Sequence, residues 1–296
     1  MTTTDGKVVG LTKIVDHGAN AERYNLVILG DGYQASELMQ FAADVQNFVG
    51  VFQATAPYNR LWNAINIFRV DVASDESGAD DPGTCSDGSA GSGKIPRTYF
   101  DSTFCSDGNI RRLLSCDKES ARETAQAQVP EAHMTMVMVN STEYGGSGGE
   151  VAVFSTAPAA AEIALHEMGH TAFGFADEYE CYQGCGSGEV GHDEFSGGEP
   201  IEPNVTANPD AATIKWNASL TNKEDAFPTT TNANCTDCDS QSNPRKETYV
   251  GAYAGARYFH CGCYRPSFNC RMRTLNNPFC GVCQAVISTA LEPFFD

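Results

Sequence analysis

Residues 164–179 have the sequence ALHEMGHTAFGFADEY, which contains the pentad HEMGH at 166–170. His166 and His170 are four residues apart and share one face of a helix, with about 5–6 Å between their Cβ atoms. Both imidazoles can therefore bind one tetrahedral Zn²⁺ ion. Glu167 then lies beside the open position on the metal, where it can take a proton from water. The pentad predicts a zinc-dependent hydrolase, most often a protease.

The residues before the pentad help to decide between a metal site and a chance pairing. Ala159 to Leu165 are mostly apolar, which predicts a largely buried helix. Two histidines and a carboxylate are costly to bury unless a partner compensates them. Because a bound metal supplies that partner, the sequence favours zinc binding over a satisfied pair of core histidines.

A catalytic zinc site needs a third protein ligand. The helical pattern ends near Gly174, because glycine permits the left-handed turn that stops a helix. In proteases with a glycine turn after the zinc helix, the third ligand follows about three residues later, which favours Asp177. The usual metzincin spacing would place the glycine at 173 and a histidine at 176. This chain has one extra residue before the turn and a carboxylate instead of the histidine.

Other carboxylates stay open as the third ligand. They are Glu178, directly after Asp177, and Glu199 or Glu202 in the segment GEPIEPN. The stretch 177–179 also has a second interpretation, because carboxylates near a metal often only orient the histidines.

The charge of this 296-residue chain limits its partners. Its formal net charge of −19 repels the phosphates of nucleic acids and anionic membrane surfaces, so neither partner is expected. No apolar run approaches the ~18 residues of a membrane-spanning helix, so no membrane insertion is expected. The acidic pairs Asp75-Glu76 and Asp80-Asp81 could hold Ca²⁺, but without EF-hand spacing a solvated acidic surface is favoured.

Twelve cysteines are an even count and a high one for this length. Because cytosolic thiols are kept reduced, the count predicts several disulfides and a secreted, extracellular protein. The alternative is a Cys₄ zinc ribbon formed by Cys235 and Cys238 with Cys280 and Cys283. The gap between these pairs is too long for a usual ribbon, so disulfides are favoured. If the source glycosylates, four N-x-[ST] sequons also matter, at Asn140, Asn204, Asn217 and Asn234.

Hydrophobic periodicity predicts a mixed α/β fold. Residues 24–30 and 65–73 have the pattern of buried strands, and 35–52 has apolar residues at helical spacing, so the three form a βαβ unit. One or two helices are predicted over residues 110–114 and 119–129, and a third strand over 134–140.

The composition changes after residue 175, where Gly, Pro, Asn, Asp and Cys dominate until a final helix predicted at 282–291. We therefore predict an N-terminal extension over residues 1–20 and one catalytic domain over 21–296. The domain divides into subdomains at 21–175 and 176–296, of which the second is irregular and disulfide-rich.

Residues 151–154 have the pattern of an edge strand between a glycine cluster and the pentad helix. In zinc proteases such a strand commonly pairs with an extended peptide. Val151 and Val153 are therefore candidate substrate-binding residues, and the alternative is an ordinary edge strand beneath a loop.

Several blocks, in one order from residue 25 to residue 284, resemble the bacterial IgA-peptidase family of zinc metallopeptidases. The blocks are HEMGHTAFGFADEY (166–179), NLVILGDGYQASEL (25–38), INIFRVDVASDESGADDP (65–82), VNSTEYGGSGGEVAVFS (139–155), GEPIEPNVT (198–206), YRPSFNCRMRT (264–274) and PFCGVCQ (278–284).

The resemblance implies a metzincin-like zincin with an α/β (α+β) fold. Such a fold has a mixed sheet with an edge strand, an active-site helix carrying HExxH, and a methionine turn beneath the zinc. Met272 stands where that turn would be, although a buried methionine in a disulfide-rich corner is the alternative. The resemblance also implies secretion and endopeptidase activity on proteins or peptides. It does not extend to immunoglobulin A as the substrate.

We therefore expect a secreted zinc endopeptidase with Glu167 as general base and an oxyanion donor chosen from Tyr179, Tyr258 and Tyr264. A thermolysin-like peptidase is disfavoured, because no helix with the required glutamate follows His170. The alternative from another class is a zinc-stabilised extracellular binding module or adhesin without proteolytic activity. Such a module would have little reason to keep Glu167 between two histidines.

Overall fold

A computed structural model describes residues 5–106, 110–181, 185 and 193–295 and divides the chain into two compact units. The N-terminal unit comprises Met1–Ala172 with the terminal segment Leu291–Asp296, and the C-terminal unit comprises Phe173–Ala290. This division falls close to the change in composition after residue 175. Within the described residues, no helix is both long and apolar enough to cross a bilayer.

A six-stranded mixed sheet forms the centre of the N-terminal unit. Its strands are β1 (Gly6–Val15), β2 (Tyr24–Asp31), β3 (Ile65–Ser74), β4 (Met134–Val139), β5 (Gly146–Ser147) and β6 (Ala152–Ser155). They lie in the order β1-β3-β2-β4-β6-β5. The four inner strands are parallel, and the two outer strands are antiparallel to their neighbours. All eight residues of β2 are buried, as expected for a parallel strand covered on both faces.

The described residues contain four α-helices: α1 (Leu38–Ala54), α2 (Lys118–Gln128), α3 (Ala160–Phe173) and α4 (Gly281–Leu291). In α1 the buried side chains recur at helical spacing, so one face packs into the core; they are Phe41, Val45, Phe48, Val49 and Phe52. The C-terminal unit contains a short antiparallel hairpin of β7 (Tyr253–Ala256) and β8 (Phe259–Arg265). The rest of that unit is largely irregular, and the mixed α/β fold is confirmed.

The predicted βαβ unit is confirmed by β2, α1 and β3, because β2 and β3 are adjacent and parallel. The helix predicted at 110–114 is wrong. Leu113 donates its N–H to Ile110 O at 3.0 Å and forms a β-bridge with Gly146. A five-residue segment is too short for a stable helix without strong packing, so the pairing with the sheet prevails.

The predicted extension over residues 1–20 also differs from the structure, because β1 occupies residues 6–15. It pairs antiparallel with β3, from Gly6 opposite Ser74 to Val15 opposite Ile67. All ten of its residues are half-buried or exposed, so the strand lacks the buried apolar pattern that identifies a strand in a sequence. A solvated outer strand of this kind is recognisable only from its pairing.

Asp31, at the end of β2, is a fully buried carboxylate. It accepts hydrogen bonds from Thr98 Oγ1 at 3.0 Å, Phe100 N at 3.0 Å, Ser102 N at 3.2 Å and Ser74 Oγ at 3.3 Å. Burial raises the pKa of Asp31, and these hydrogen bonds act in the opposite direction. The loop at 98–102 is thus fixed by a buried side chain rather than by a strand or helix.

Replacing Asp31 with alanine is expected to lower the free energy of unfolding by about 3 kcal/mol or more, because buried donors lose their acceptor. Urea denaturation measures the change. The control is Glu123→Ala on the exposed face of α2, which should stay within about 0.5 kcal/mol of the parent protein. Equal effects of the two substitutions would contradict this role for Asp31.

Candidate metal centre

The pentad HEMGH lies inside α3, so both histidines belong to one regular helix. His166 Nε2 and His170 Nε2 are 3.1 Å apart, and the two rings are perpendicular with centroids separated by 4.8 Å. Both residues are half-buried. Two ring nitrogens this close together are suited to bind a single cation, as the four-residue spacing predicts.

A glycine segment before β6 runs directly over the pentad. A Cβ atom added at Gly148 would lie 2.7 Å from His170 Cβ and 3.3 Å from Glu167 Oε2. One added at Gly146 would lie 3.1 Å from Glu167 Oε1 and 2.6 Å from Ile163 Cγ2. These positions have no room for a side chain, so glycine lets the backbone approach the carboxylate and the imidazole. The sequence alone indicates only that this glycine cluster precedes a strand.

The prediction that residues 151–154 form the edge strand is wrong, because β5 lies outside β6. Val153 pairs with Val137 of β4 on one side and with Ser147 of β5 on the other. Val151 and Val153 are fully buried in the hydrophobic core. The two-residue strand β5 has no side-chain alternation, so its place at the edge could not be inferred from periodicity.

In the C-terminal unit, Asp177 is a buried carboxylate held by the loop of the β7–β8 hairpin. Tyr258 Oη donates a hydrogen bond to Asp177 Oδ2, and Arg257 N donates one to Asp177 O at 3.0 Å. Burial, together with the charge of Asp177, raises the pKa of Tyr258, so its phenol keeps the proton that it donates. Among the tyrosines predicted as oxyanion donors, Tyr258 is thus engaged with Asp177. The Tyr179 ring packs edge-on against Tyr258 at 5.3 Å.

Asn204 holds the chain just before Asp177, a role that its sequence pattern does not predict. Its side chain accepts a hydrogen bond from Ala176 N at 2.8 Å and donates one to Ala176 O at 2.8 Å. It also donates to Glu178 Oε1 at 2.9 Å, and it is fully buried. One amide therefore satisfies both backbone groups of Ala176 in a segment without regular structure. The sequence signal is its place in GEPIEPNVT (198–206), one of the blocks that carry the resemblance described above.

The other carboxylates considered as third ligands have different partners. Glu178 is fully buried and contacts Asn204, while its N–H donates to Met272 O at 2.8 Å. Glu199 accepts from Thr206 Oγ1 at 2.7 Å and pairs with Lys215, and Glu202 pairs with Arg257 at 3.0 Å. These contacts engage the side chains of all three glutamates within the C-terminal unit.

Met272 lies in a tight turn of the C-terminal unit and is fully buried. The turn is closed by hydrogen bonds from Arg273 N and Thr274 N to Cys270 O, both at 2.9 Å. The hydrogen bond between Met272 O and Glu178 N joins this turn to the residue that follows Asp177.

The predicted disulfides are confirmed, and the Cys₄ zinc ribbon is wrong. Disulfide bonds join Cys85 to Cys105, Cys185 to Cys238, and Cys235 to Cys261. The sulfurs of Cys235 and Cys238 are therefore bonded to other cysteines. Cys280 and Cys283 belong instead to a buried group with Cys270 and Glu178.

The acidic pairs considered for Ca²⁺ have other surroundings. Asp75 and Glu76 both pair with Arg97, and Asp81 pairs with Arg111 at 2.6 Å. Burial and the nearby carboxylates of Asp101 and Asp31 raise the pKa of Asp80 to about 6. In the part of the chain that the structure describes, none of these acids belongs to a cluster of three or more His, Cys, Asp or Glu side chains with metal-binding spacing.

A mixed sheet followed by a helix with HEMGH is the arrangement of a metallopeptidase. The family model of the IgA Peptidase M64 family matches residues 12–242 and 230–291. The chain therefore belongs to the M64 family and is a metalloendopeptidase. A comparison with curated proteins finds no significant match.

Two glycine-to-alanine substitutions should have opposite effects on stability. Gly148→Ala forces a methyl group against His170 and is expected to lower the free energy of unfolding by about 1–3 kcal/mol. Gly50→Ala on α1 meets no atom within 4 Å and should raise it by about 0.5–1 kcal/mol, because alanine is the better helix former. Thermal unfolding of the metal-free proteins measures both changes. A stabilising effect of Gly148→Ala would show that residue 148 does not press on the pentad.

Proposed function

We propose that the protein is a secreted zinc endopeptidase in which His166, His170 and Asp177 bind one Zn²⁺ ion and Glu167 is the general base. The observation that carries this proposal is the pair of imidazole nitrogens, 3.1 Å apart on α3, in a member of the M64 family. Two imidazoles and a carboxylate are a common ligand set for catalytic zinc, and they leave the fourth position open.

Three observations support Asp177 as the third ligand. It follows the last residue of α3 by only four positions, so the chain can reach at most about 14 Å from the helix end. Its carboxylate is buried and accepts a hydrogen bond from Tyr258, as metal-binding carboxylates commonly do. The alternatives Glu178, Glu199 and Glu202 contact other groups.

When bound, Zn²⁺ supplies a Lewis acid that polarises the scissile carbonyl and lowers the pKa of a water molecule. Glu167 accepts the proton of the attacking water on its carboxylate and then delivers it to the nitrogen of the leaving amine. Tyr258 orients Asp177 through its hydroxyl group. The role of oxyanion donor is therefore left to Tyr179 or Tyr264. Met272 is proposed as the methionine turn that the metzincin resemblance implies.

The substrate peptide is proposed to lie along the backbone of residues 147–149 rather than against Val151 and Val153. This segment continues β5 beyond Gly146, the residue that pairs with Leu113, and passes within contact of Glu167 and His170. An extended peptide that pairs with such a segment gains backbone hydrogen bonds whatever its side chains. The three disulfides support an extracellular location for this activity.

Glu167→Gln is expected to lower proteolysis of casein at least about 100-fold, because the amide cannot accept the proton of water. Zinc content should stay unchanged, as measured by mass spectrometry of the metal. The matched control is Glu162→Gln on the same helix, which should keep its activity. The parent protein should lose activity in a chelator and regain it with Zn²⁺. Undiminished cleavage by Glu167→Gln would refute the assigned role.

Tyr258→Phe is expected to weaken zinc binding about 10- to 100-fold, because Asp177 loses the donor that orients it. Competition with a fluorescent zinc chelator measures the dissociation constant. The control is Tyr249→Phe, which removes a hydroxyl that is hydrogen-bonded to Asp225 in the same unit. If both variants bound zinc equally well, Asp177 would not need Tyr258 for metal binding.

A further inference from the structure

Four buried side chains of the C-terminal unit lie close together, and none of them has a role in the proposed peptidase mechanism. They are Glu178, Cys270, Cys280 and Cys283, and the first, second and fourth are fully buried while Cys280 is 7% exposed. One ligand atom from each side chain lies within 4.8 Å of the others. None of the three sulfurs belongs to a disulfide bond.

The distances within this group suit a tetrahedral metal ion. Cys270 Sγ and Cys283 Sγ are 3.8 Å apart, and Cys283 Sγ lies 3.6 Å from Glu178 Oε1. An ion with Zn–S bonds of about 2.3 Å keeps its sulfur ligands about 3.8 Å from each other. The group therefore has nearly the spacing that such an ion requires.

The backbone around the cysteines is arranged to stabilise thiolates. Cys280 N donates to Cys270 Sγ at 3.3 Å, and Cys283 N donates to Cys280 Sγ at 3.5 Å. Cys280 also directly precedes the first residue of α4, where the helix dipole favours negative charge. Hydrogen bonds to cysteine sulfur are also found at iron–sulfur centres, where they tune the properties of the metal.

Glu178 supplies an independent sign of a missing partner. Its Oε1 accepts a hydrogen bond from Asn204, but among the described residues its Oε2 has no hydrogen-bond partner. A fully buried carboxylate oxygen without a partner is costly, and a cation is the partner that best compensates its charge. The carboxylate and three thiolates together form a complete set of four ligands.

We propose that Glu178, Cys270, Cys280 and Cys283 bind a second, structural Zn²⁺ ion. Four protein ligands leave no open position, so this ion holds the fold and performs no chemistry. It ties the residue next to Asp177 to the Met272 turn and to the start of α4. The other cysteine-rich group, which includes Cys181, is less suitable, because Cys185 and Cys238 are already bonded to each other.

The test counts zinc per chain by mass spectrometry of the metal in the full-length protein. We expect two ions in the parent protein and one in the double variant His166→Ala/His170→Ala. Cys280→Ser should also bind one ion. The matched control Cys263→Ser replaces a buried cysteine outside the group and should keep both.

Cobalt substitution identifies the ligands. The double histidine variant loaded with Co²⁺ should show a thiolate-to-cobalt charge-transfer band, and adding Cys280→Ser should abolish it. Alkylation after unfolding in a chelator, without reductant, should label the six cysteines outside the three disulfides. This count and the cobalt band need only the parent protein and the double histidine variant, so they remain decisive if a cysteine variant fails to fold.

Two results would overturn the proposal. One is a single zinc ion in the parent protein that disappears in the double histidine variant. The other is a fourth disulfide that joins two of the three cysteines, seen as four labelled cysteines instead of six. A single ion that persists without the histidines and disappears in Cys280→Ser would support the structural site while contradicting zinc binding at the pentad.

Discussion

The pair of imidazoles on α3 is the constraint to which the neighbouring chain is adapted. His166 and His170 are half-buried with their nitrogens in contact, and Glu167 adds a carboxylate to the same helical turn. Bulky neighbours would block access to these groups, so the segment that passes over them carries glycine at 146 and 148. After the helix, Gly174 adopts a φ of 63° and turns the chain toward the acidic segment. Glycine thus shapes the surroundings on both sides of the pentad.

Little of the backbone of the C-terminal unit lies in strands or helices. Polar backbone groups that are buried outside such elements need other partners. Asn204 provides them for Ala176, and the next two residues are held by backbone hydrogen bonds: Arg257 N donates to Asp177 O, and Met272 O accepts from Glu178 N. The disulfides Cys185–Cys238 and Cys235–Cys261 add covalent links within the same unit. The position of Asp177 therefore depends on several side chains that are distant in sequence.

The features that could be predicted from the sequence are those with a strong local signal. The buried runs of β2 and β3 and the helical spacing in α1 identify their elements directly, and HEMGH identifies the helix that carries the two histidines. β1 was missed because it is solvated, and β5 because two residues carry no alternation. The partners of Asp177 and Glu178 could not be predicted, since they are contacts between residues that lie 26 to 105 positions apart. The pairing of the cysteines in disulfides could not be predicted for the same reason.

The buried amide of Asn204 has a consequence for how the protein can be produced. Its residue is the first of an Asn-Val-Thr sequence, which is an acceptor for N-linked glycans. A eukaryotic secretory pathway attaches such glycans while the chain is still unfolded, before Asn204 can reach Ala176. The sugar would occupy the same nitrogen that donates to Ala176 O and Glu178 Oε1. A glycosylated nitrogen keeps one hydrogen instead of two, so it could not donate to both acceptors at this fully buried position. Expression in a host without N-glycosylation avoids this conflict.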